Sequence, residues 1–264
     1  MAADLAGRDA ALLAATVREA GALALSLFRT DLRKWTKGVS SPVSEADIAV
    51  NDLIERRLRQ AAPQYGWLSE ESADDRARLA QSRVWIVDPI DGTRSYLAGR
   101  EDWCVSVALV EHGTPMLAAV FAPASDEFFF AVRGGGATLR DVPIAATKGS
   151  ALDFSRIAGP KPIVEQLGLP RHDVAIHPRI GSLALRLCRI SDGTLDVAFA
   201  GGHSHDWDLA AADLIVHEAG GRMTSLSGEP IGYNRPEVTH GVLVAAGHER
   251  HAAVVKHFRS HPLA

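Results

Sequence analysis

Cysteine is scarce in this chain: Cys104 and Cys188 are the only two, far apart and without a Cys-x-x-Cys spacing. There is no disulfide framework, so both read as small core residues in a reducing cytoplasm, and a pairing between them has no motive. A basic excess is missing as well. The formal charge is −4 and the pI near 6.3, which argues against a general nucleic-acid binder. Asp4, Arg8 and Asp9 interrupt the apolar N-terminal stretch, so no signal peptide is expected, and no window is read as a membrane span. Internal repeats and long linkers are absent. Gly134-Gly135-Gly136 lacks the Lys-Ser/Thr of a P-loop and reads as a hairpin turn. His203-Ser204-His205-Asp206 starts like a zinc-hydrolase HxHxD motif, but Trp207-Asp208 follows, without the further histidine that chemistry requires. The expectation is a soluble, cytoplasmic protein with neither membrane nor nucleic acid as partner.

With 264 residues and 47% hydrophobic content, the chain can build one large domain or two fused lobes. Helical spacing over residues 8–30 predicts an amphipathic first helix, and residues 31–42 read as a mobile loop. A second helix is predicted over 44–62, capped by Ser44 and closed by Pro63. Strand-like runs follow at 84–87, 103–111, 115–123 and 127–132. Small and polar residues over 141–153 suggest a boundary, giving an α+β lobe (1–145) and an α/β lobe (146–264). In the second lobe, helices are predicted at 182–188 and 208–219, and strands at 195–200 and 242–246.

Val84-Trp85-Ile86-Val87 is a short apolar run of the kind that forms a buried strand. It ends on Asp88, turns at Pro89 and offers a second carboxylate at Asp91, just before Gly92 and Thr93. Buried carboxylates are costly unless paired or metal-bound, so two of them here call for a cation or another partner. Asp91 also suits a helix N-cap, with Gly92 turning tightly beside it. The amides of Gly92 and Thr93 then stand at a helix start, a ready anion site. A hard divalent cation beside a phosphate cradle is the simplest chemistry that uses both halves.

Further acidic motifs accompany Asp88-Pro89-Ile90-Asp91-Gly92-Thr93. They are Ser69-Glu70-Glu71-Ser72, Trp207-Asp208-Leu209-Ala210-Ala211, the stretch Ser41 to Asp47, Arg133 to Ala137 and Glu218 to Gly221. In this order, over roughly residues 10–245, they resemble the inositol monophosphatase family of metal-dependent phosphomonoesterases. Singly, Asp91 and Asp208 read as N-caps and Glu70-Glu71 as a solvated loop; the shared order favours one site.

The resemblance implies a layered α-β-α-β-α sandwich of the inositol monophosphatase and fructose bisphosphatase type. It implies two or three Mg²⁺ ions: Glu70, Asp88 and the Ile90 carbonyl at one, Asp88, Asp91 and Asp208 at another, and a weaker third near Glu70. Asp47 and Thr93 would orient the nucleophilic water together with Glu70. Gly92 and Thr93 would hold the phosphate, Ser182 and His205 would line the substrate pocket, and Lys37 would sit on a mobile loop near the metals. A homodimer and inhibition by Li⁺ are further implications.

The substrate expected from the family is a small phosphate ester, inositol monophosphate first. A 3′(2′),5′-bisphosphate nucleotidase is the alternative, followed by a histidinol phosphatase or a regulatory interaction protein on the same fold. The sequence departs from the inositol pattern at Gly201, seven positions before Asp208, where inositol-specific members carry an acidic residue. Ser204, His205 or Asp206 would have to replace it. Arg171, His172, His177, Arg179, Arg186 and Arg189 form a basic cluster that reads as a solvated face or as a contact for a second phosphate.

Overall fold

The computed structural model describes residues 2–37, 41–169 and 174–263; Gly38 of the expected loop, and Arg171 and His172 of the basic cluster, lie outside them. A hairpin of β1 (Lys34–Lys37) and β2 (Ser41–Ser44) precedes a seven-stranded sheet. That sheet runs in chain order through β3 (Gly66–Ser69), β4 (Arg83–Asp91), β5 (Cys104–Glu111), β6 (Thr114–Ala122), β7 (Glu127–Val132), β8 (Gly136–Leu139) and β9 (Val142–Pro143). Only the β3–β4 pair is parallel; the rest is an antiparallel meander.

The later strands are β10 (Ser155–Ala158), β11 (Val174–Ile176), β12 (Val197–Ala200), β13 (Ser204–His205), β14 (Gly221–Ser225), β15 (Thr239–His240) and β16 (Leu243–Gly247). Five form a mixed sheet in the order β11-β10-β12-β16-β14, and β13 pairs with β15. The helices are α1 (Ala2–Leu27), α2 (Glu45–Ala61), α3 (Thr93–Leu97), α4 (Lys161–Glu165), α5 (Leu183–Ser191), α6 (Asp206–Glu218) and α7 (His248–Ser260).

Alternation along the strands builds the layers, because successive side chains point to opposite faces. Trp85, Val87, Val105 and Val107 face α1 and α2, in one core with Leu13, Val17 and Ile54. Val84, Ile86, Ala108 and Val120 face the other way, onto α5 and α6. Ala198, Ala200 and Ala245 of the five-stranded sheet meet the same two helices from beyond. Their neighbours Val197, Phe199, Val244 and Ala246 pack outward onto α4 and α7. The result is an α-β-α-β-α sandwich. α6 lies in its middle layer and is buried at every position from Leu209 to Val216, all apolar there but Asp213, which receives the Tyr233 hydroxyl at 2.9 Å.

Two expectations are corrected here. The segment 31–42 is not wholly loop, since β1 and β2 pair antiparallel within it. And one stretch, Gly7–Leu27, is long and apolar enough to cross a membrane by length and composition. A third of it is buried: Leu13, Val17, Ala20 and Ala24 belong to the core. Buried Asp9 accepts a hydrogen bond from the Tyr65 hydroxyl at 2.7 Å.

Candidate active site

Strand β4 runs further than its apolar residues. It continues through Asp88 to Asp91, with an irregular register between them: Asp88 pairs with Ser106 and Asp91 with Cys104. Pro89 cannot donate to the ladder, so the chain bulges there and turns both carboxylates to one side. β3 lies parallel to β4, and its end brings Glu70 alongside, with the Glu70 amide donating to the Val87 carbonyl at 3.2 Å. Asp208 arrives from α6. It is not the N-cap but the third helical residue, and its Oδ2 accepts from the amide of the true N-cap, His205, at 2.6 Å.

Asp88, Asp91 and Asp208 thus converge, with one carboxylate oxygen from each within 4.8 Å of the others. Both oxygens of Asp88 are buried and accept no hydrogen bond from the described residues. Leaving a buried carboxylate without donors costs too much for a merely structural role. A cation is the partner that fits this donor set of hard oxygens.

The electrostatics agree. Burial pushes the Asp88 carboxyl well above the usual carboxylate range, and Glu70, Asp91 and Asp208 add repulsion. Burial, then Asp208 and Glu71, push Glu70 up to about 8. Burial and Asp208 push Asp91 up to about 6, against the pull of its hydrogen bonds.

These shifts have a consequence for stability with a definite sign. Where a carboxyl's folded-state pKa is raised, the folded chain holds a proton that the unfolded chain has lost, so stability falls as pH rises. For Asp91 the window runs from the ordinary 3.8 to about 6, and for Glu70 from 4.5 to about 8. A bound divalent cation removes the penalty. The gap between melting temperatures in Mg²⁺ and in EDTA is therefore expected to widen from about pH 5 to pH 8. Calorimetric melting in both buffers checks this; a constant gap would mean the carboxylates carry no shared charge penalty.

Asp47 stands behind the cluster at the start of α2. Its Oδ2 accepts from the Ser44 amide at 2.8 Å and the Ser44 hydroxyl at 2.6 Å. Its Oδ1 lies 3.2 Å from the Thr93 hydroxyl, which also reaches the Ile90 carbonyl at 3.0 Å. Lys37, on β1, hydrogen-bonds the Glu70 carbonyl and lies 3.3 Å from the Glu71 carboxylate.

Three expectations for single residues change. Asp91 does not cap α3: the N-cap is Gly92, whose φ of +92° suits glycine. Instead the Asp91 Oδ2 receives the Ser182 hydroxyl and the Ala184 amide, both at 2.6 Å, so it closes the start of α5. Ser182 does not line the pocket. It is fully buried, and its hydroxyl is spent on Asp91 and on capping Leu185. The basic cluster also divides. Arg189 pairs with Glu127 at 2.5 Å and Asp192 at 3.0 Å, Arg186 is largely covered, and among the described members only Arg179 lines the pocket.

The pocket, about 340 Å³, is lined by the carboxylates Glu70, Asp88, Asp91 and Asp208 and by the arginines Arg94, Arg100 and Arg179. His205 is on the wall, stacked on Trp207 with ring centroids 4.6 Å apart. Sequence reasoning missed Arg94, Arg100 and Trp207. Arg94 adjoins Thr93 and Trp207 adjoins Asp208, so position within the motifs was the available signal.

The sequence pattern of the inositol monophosphatase family matches residues 8–263. A histidinol-phosphatase of Mycobacterium tuberculosis is 35% identical over 209 residues, 75% of this chain and 79% of that one. A 3′-phosphoadenosine 5′-phosphate phosphatase of Mycobacterium leprae is 34% identical, over 86% of this chain and 84% of its own. Among solved structures, the extragenic suppressor protein suhB of Bartonella henselae superposes with a TM-score of 0.82 at 26% identity, covering 94% of this chain and 97% of that one.

Proposed function

This chain belongs to the inositol monophosphatase family and is a metal-dependent phosphoric monoester hydrolase, and from that premise we propose that it uses Mg²⁺ to hydrolyse a small phosphate ester bearing a second anionic group. The metal part rests on Asp88, whose two buried oxygens have no donor among the described residues. Glu70, Asp88 and the Ile90 carbonyl would hold one ion, and Asp88, Asp91 and Asp208 another. Bound there, divalent cations acidify water and neutralise charge on the phosphoryl and leaving oxygens. The chain's own residues do the rest. Asp47, fixed by Ser44, accepts from the Thr93 hydroxyl, so the pair orients the attacking water and takes its proton. The first amides of α3, at Gly92 and Thr93, face the phosphoryl oxygens. The same reading carries a cytoplasmic homodimer inhibited by Li⁺, each resting on family likeness.

The second anionic group is suggested by the arginine wall. Arg100 is engaged by the Ser95 hydroxyl at 2.6 Å and by Asp102 at 3.4 Å. Arg179 is exposed and has no ion-pair partner among the described residues. Gly201 offers no carboxylate to sugar hydroxyls, and even a Cβ there would meet nothing nearer than Pro160 at 3.4 Å. A pocket with cations and without that carboxylate suits a bisphosphate better than inositol monophosphate.

The test is phosphate release in Mg²⁺ from inositol monophosphate, histidinol phosphate and a nucleoside 3′,5′-bisphosphate. The bisphosphate is expected to show the highest kcat/KM. Arg179→Ala should raise its KM by about tenfold, the scale of one charge-assisted hydrogen bond, and leave inositol monophosphate nearly unchanged. A preference for inositol monophosphate that Arg179→Ala does not alter would overturn the anionic-group reading.

A further inference from the structure

A buried arginine that plays no part in the chemistry above ties the two halves of the metal site together. Arg78 lies in a short 3₁₀ turn, Arg76–Ala80, eight residues beyond Glu70, and is 2% exposed. Its guanidinium grips Asp74 with two bonds, of 2.6 and 3.0 Å. Its remaining donors cross to the other half of the chain, to the Asn234 side-chain oxygen at 2.7 Å and the Arg235 carbonyl at 3.2 Å. Asn234 answers through its own amide, Nδ2 donating to the Arg78 carbonyl at 3.3 Å. On the first half, Arg78 packs against the start of β3: a Cβ on Gly66 would come within 3.1 Å of it. Glu70 follows the end of that strand.

On the second half the path continues without a gap. The Asn234 backbone amide donates to Asp206 Oδ2 at 2.7 Å, and His240 Nε2 lies 2.6 Å from Asp206 Oδ1. Asp206 is 1% exposed and opens α6, two residues before Asp208. The segment between Asn234 and His240 also holds the chain leading into α6. The Asp206 amide donates to the Val238 carbonyl, the His203 amide to the His240 carbonyl, and β13 pairs with β15.

Carboxylates gathered to hold a cation repel one another before it arrives, and the easiest relief is for β3 and α6 to move apart. We propose that Arg78 and Asn234 are positioning residues. Their strap holds the Glu70 strand and the Asp208 helix at the spacing that divalent metal requires, and so sets the metal affinity of the site. Planar, five-donor guanidinium suits this task, since it bonds Asp74, Asn234 and Arg235 at once; a lysine cannot. The inference rests on the metal-ligand reading given above.

Asn234 is the residue to change, because its φ of +53° is tolerated by glycine and aspartate. Asn234→Gly removes the side-chain bonds and keeps the backbone donor to Asp206. Titration calorimetry of Mn²⁺ into chelator-stripped protein is the direct readout. Asn234→Gly is expected to weaken binding by about tenfold or more, as for other outer partners of metal ligands, with kcat at saturating metal within about threefold of wild type. Arg78→Lys should do the same, and the two together should cost less than the sum. Asn234→Asp, which retains the acceptor for Arg78, should bind metal nearly as wild type does. A lower melting temperature with unchanged Mn²⁺ affinity in Asn234→Gly and Arg78→Lys would reduce the strap to a fold-stabilising contact and overturn the proposal. Failure of the wild-type protein itself to take up Mn²⁺ would instead bring down the metal-ligand reading, and the strap's role with it.

Discussion

Chelation by EDTA is expected to abolish phosphate release, and Asp88→Asn is expected to do the same in saturating Mg²⁺. Asp88 is the one residue assigned to both proposed ions, and its two oxygens have no donor among the described residues to fall back on. An amide keeps the size but offers a single, uncharged oxygen, so the loss should exceed the ~10–100-fold typical of outer partners and reach about 10³-fold or more. The same change should have the opposite effect on stability. Burial holds the Asp88 carboxyl far above its ordinary range, so the ionised form weakens the metal-free fold above that ordinary range. The substituted amide would carry no such charge, and the stripped variant is expected to melt higher than stripped wild type near neutral pH. Turnover within tenfold of wild type, or a stripped variant that melts lower, would remove Asp88 from the centre of the site.

Thr93→Ala should cut kcat by about 10²-fold, within the usual range for a proton-transfer group. The Thr93 hydroxyl is shared between Asp47 at 3.2 Å and the Ile90 carbonyl at 3.0 Å, so it links the proton acceptor to the metal side of the pocket. Metal affinity should change little, because Thr93 supplies no carboxylate. Asp47 would remain held by Ser44, so the fold at the start of α2 should survive. Calorimetric metal binding and single-turnover phosphate release separate the two effects. Near-normal turnover would mean that water is activated without the Thr93–Asp47 pair.

Asp91 and the arginines show how far the motifs could be read. That Asp91 belongs with Asp88 was visible in the spacing of one short motif. That it closes α5 rather than α3 was not, because Ser182 and Ala184 lie 91 and 93 residues further on. Arg179 and Arg189 look alike in sequence and share a basic stretch. One lines the pocket, and the other is pinned by Glu127 from the far end of the meander. A charge cluster has no period, so nothing in its spacing tells which members share a face. Trp207 reads as an ordinary apolar residue before an N-cap until His205 is seen stacked on it.

The layers and the set of acidic residues were determined by the sequence itself. Alternation in β4, β5 and β12 dictates two buried faces per strand, and an alanine-rich helix with Asp213 as the one polar residue between Leu209 and Val216 fits between sheets. Asp88, Asp91, Glu70 and Asp208 follow from motif order. The tertiary structure alone decided how those carboxylates are held: Ser182 on Asp91, Ser44 on Asp47, and Arg78 with Asn234 between the strand of Glu70 and the helix of Asp208. Local patterns carry propensity and burial, which act over a few residues. Hydrogen bonds that span as many as 157 positions exist only once the layers have stacked, and their partners leave no mark on the spacing of either segment.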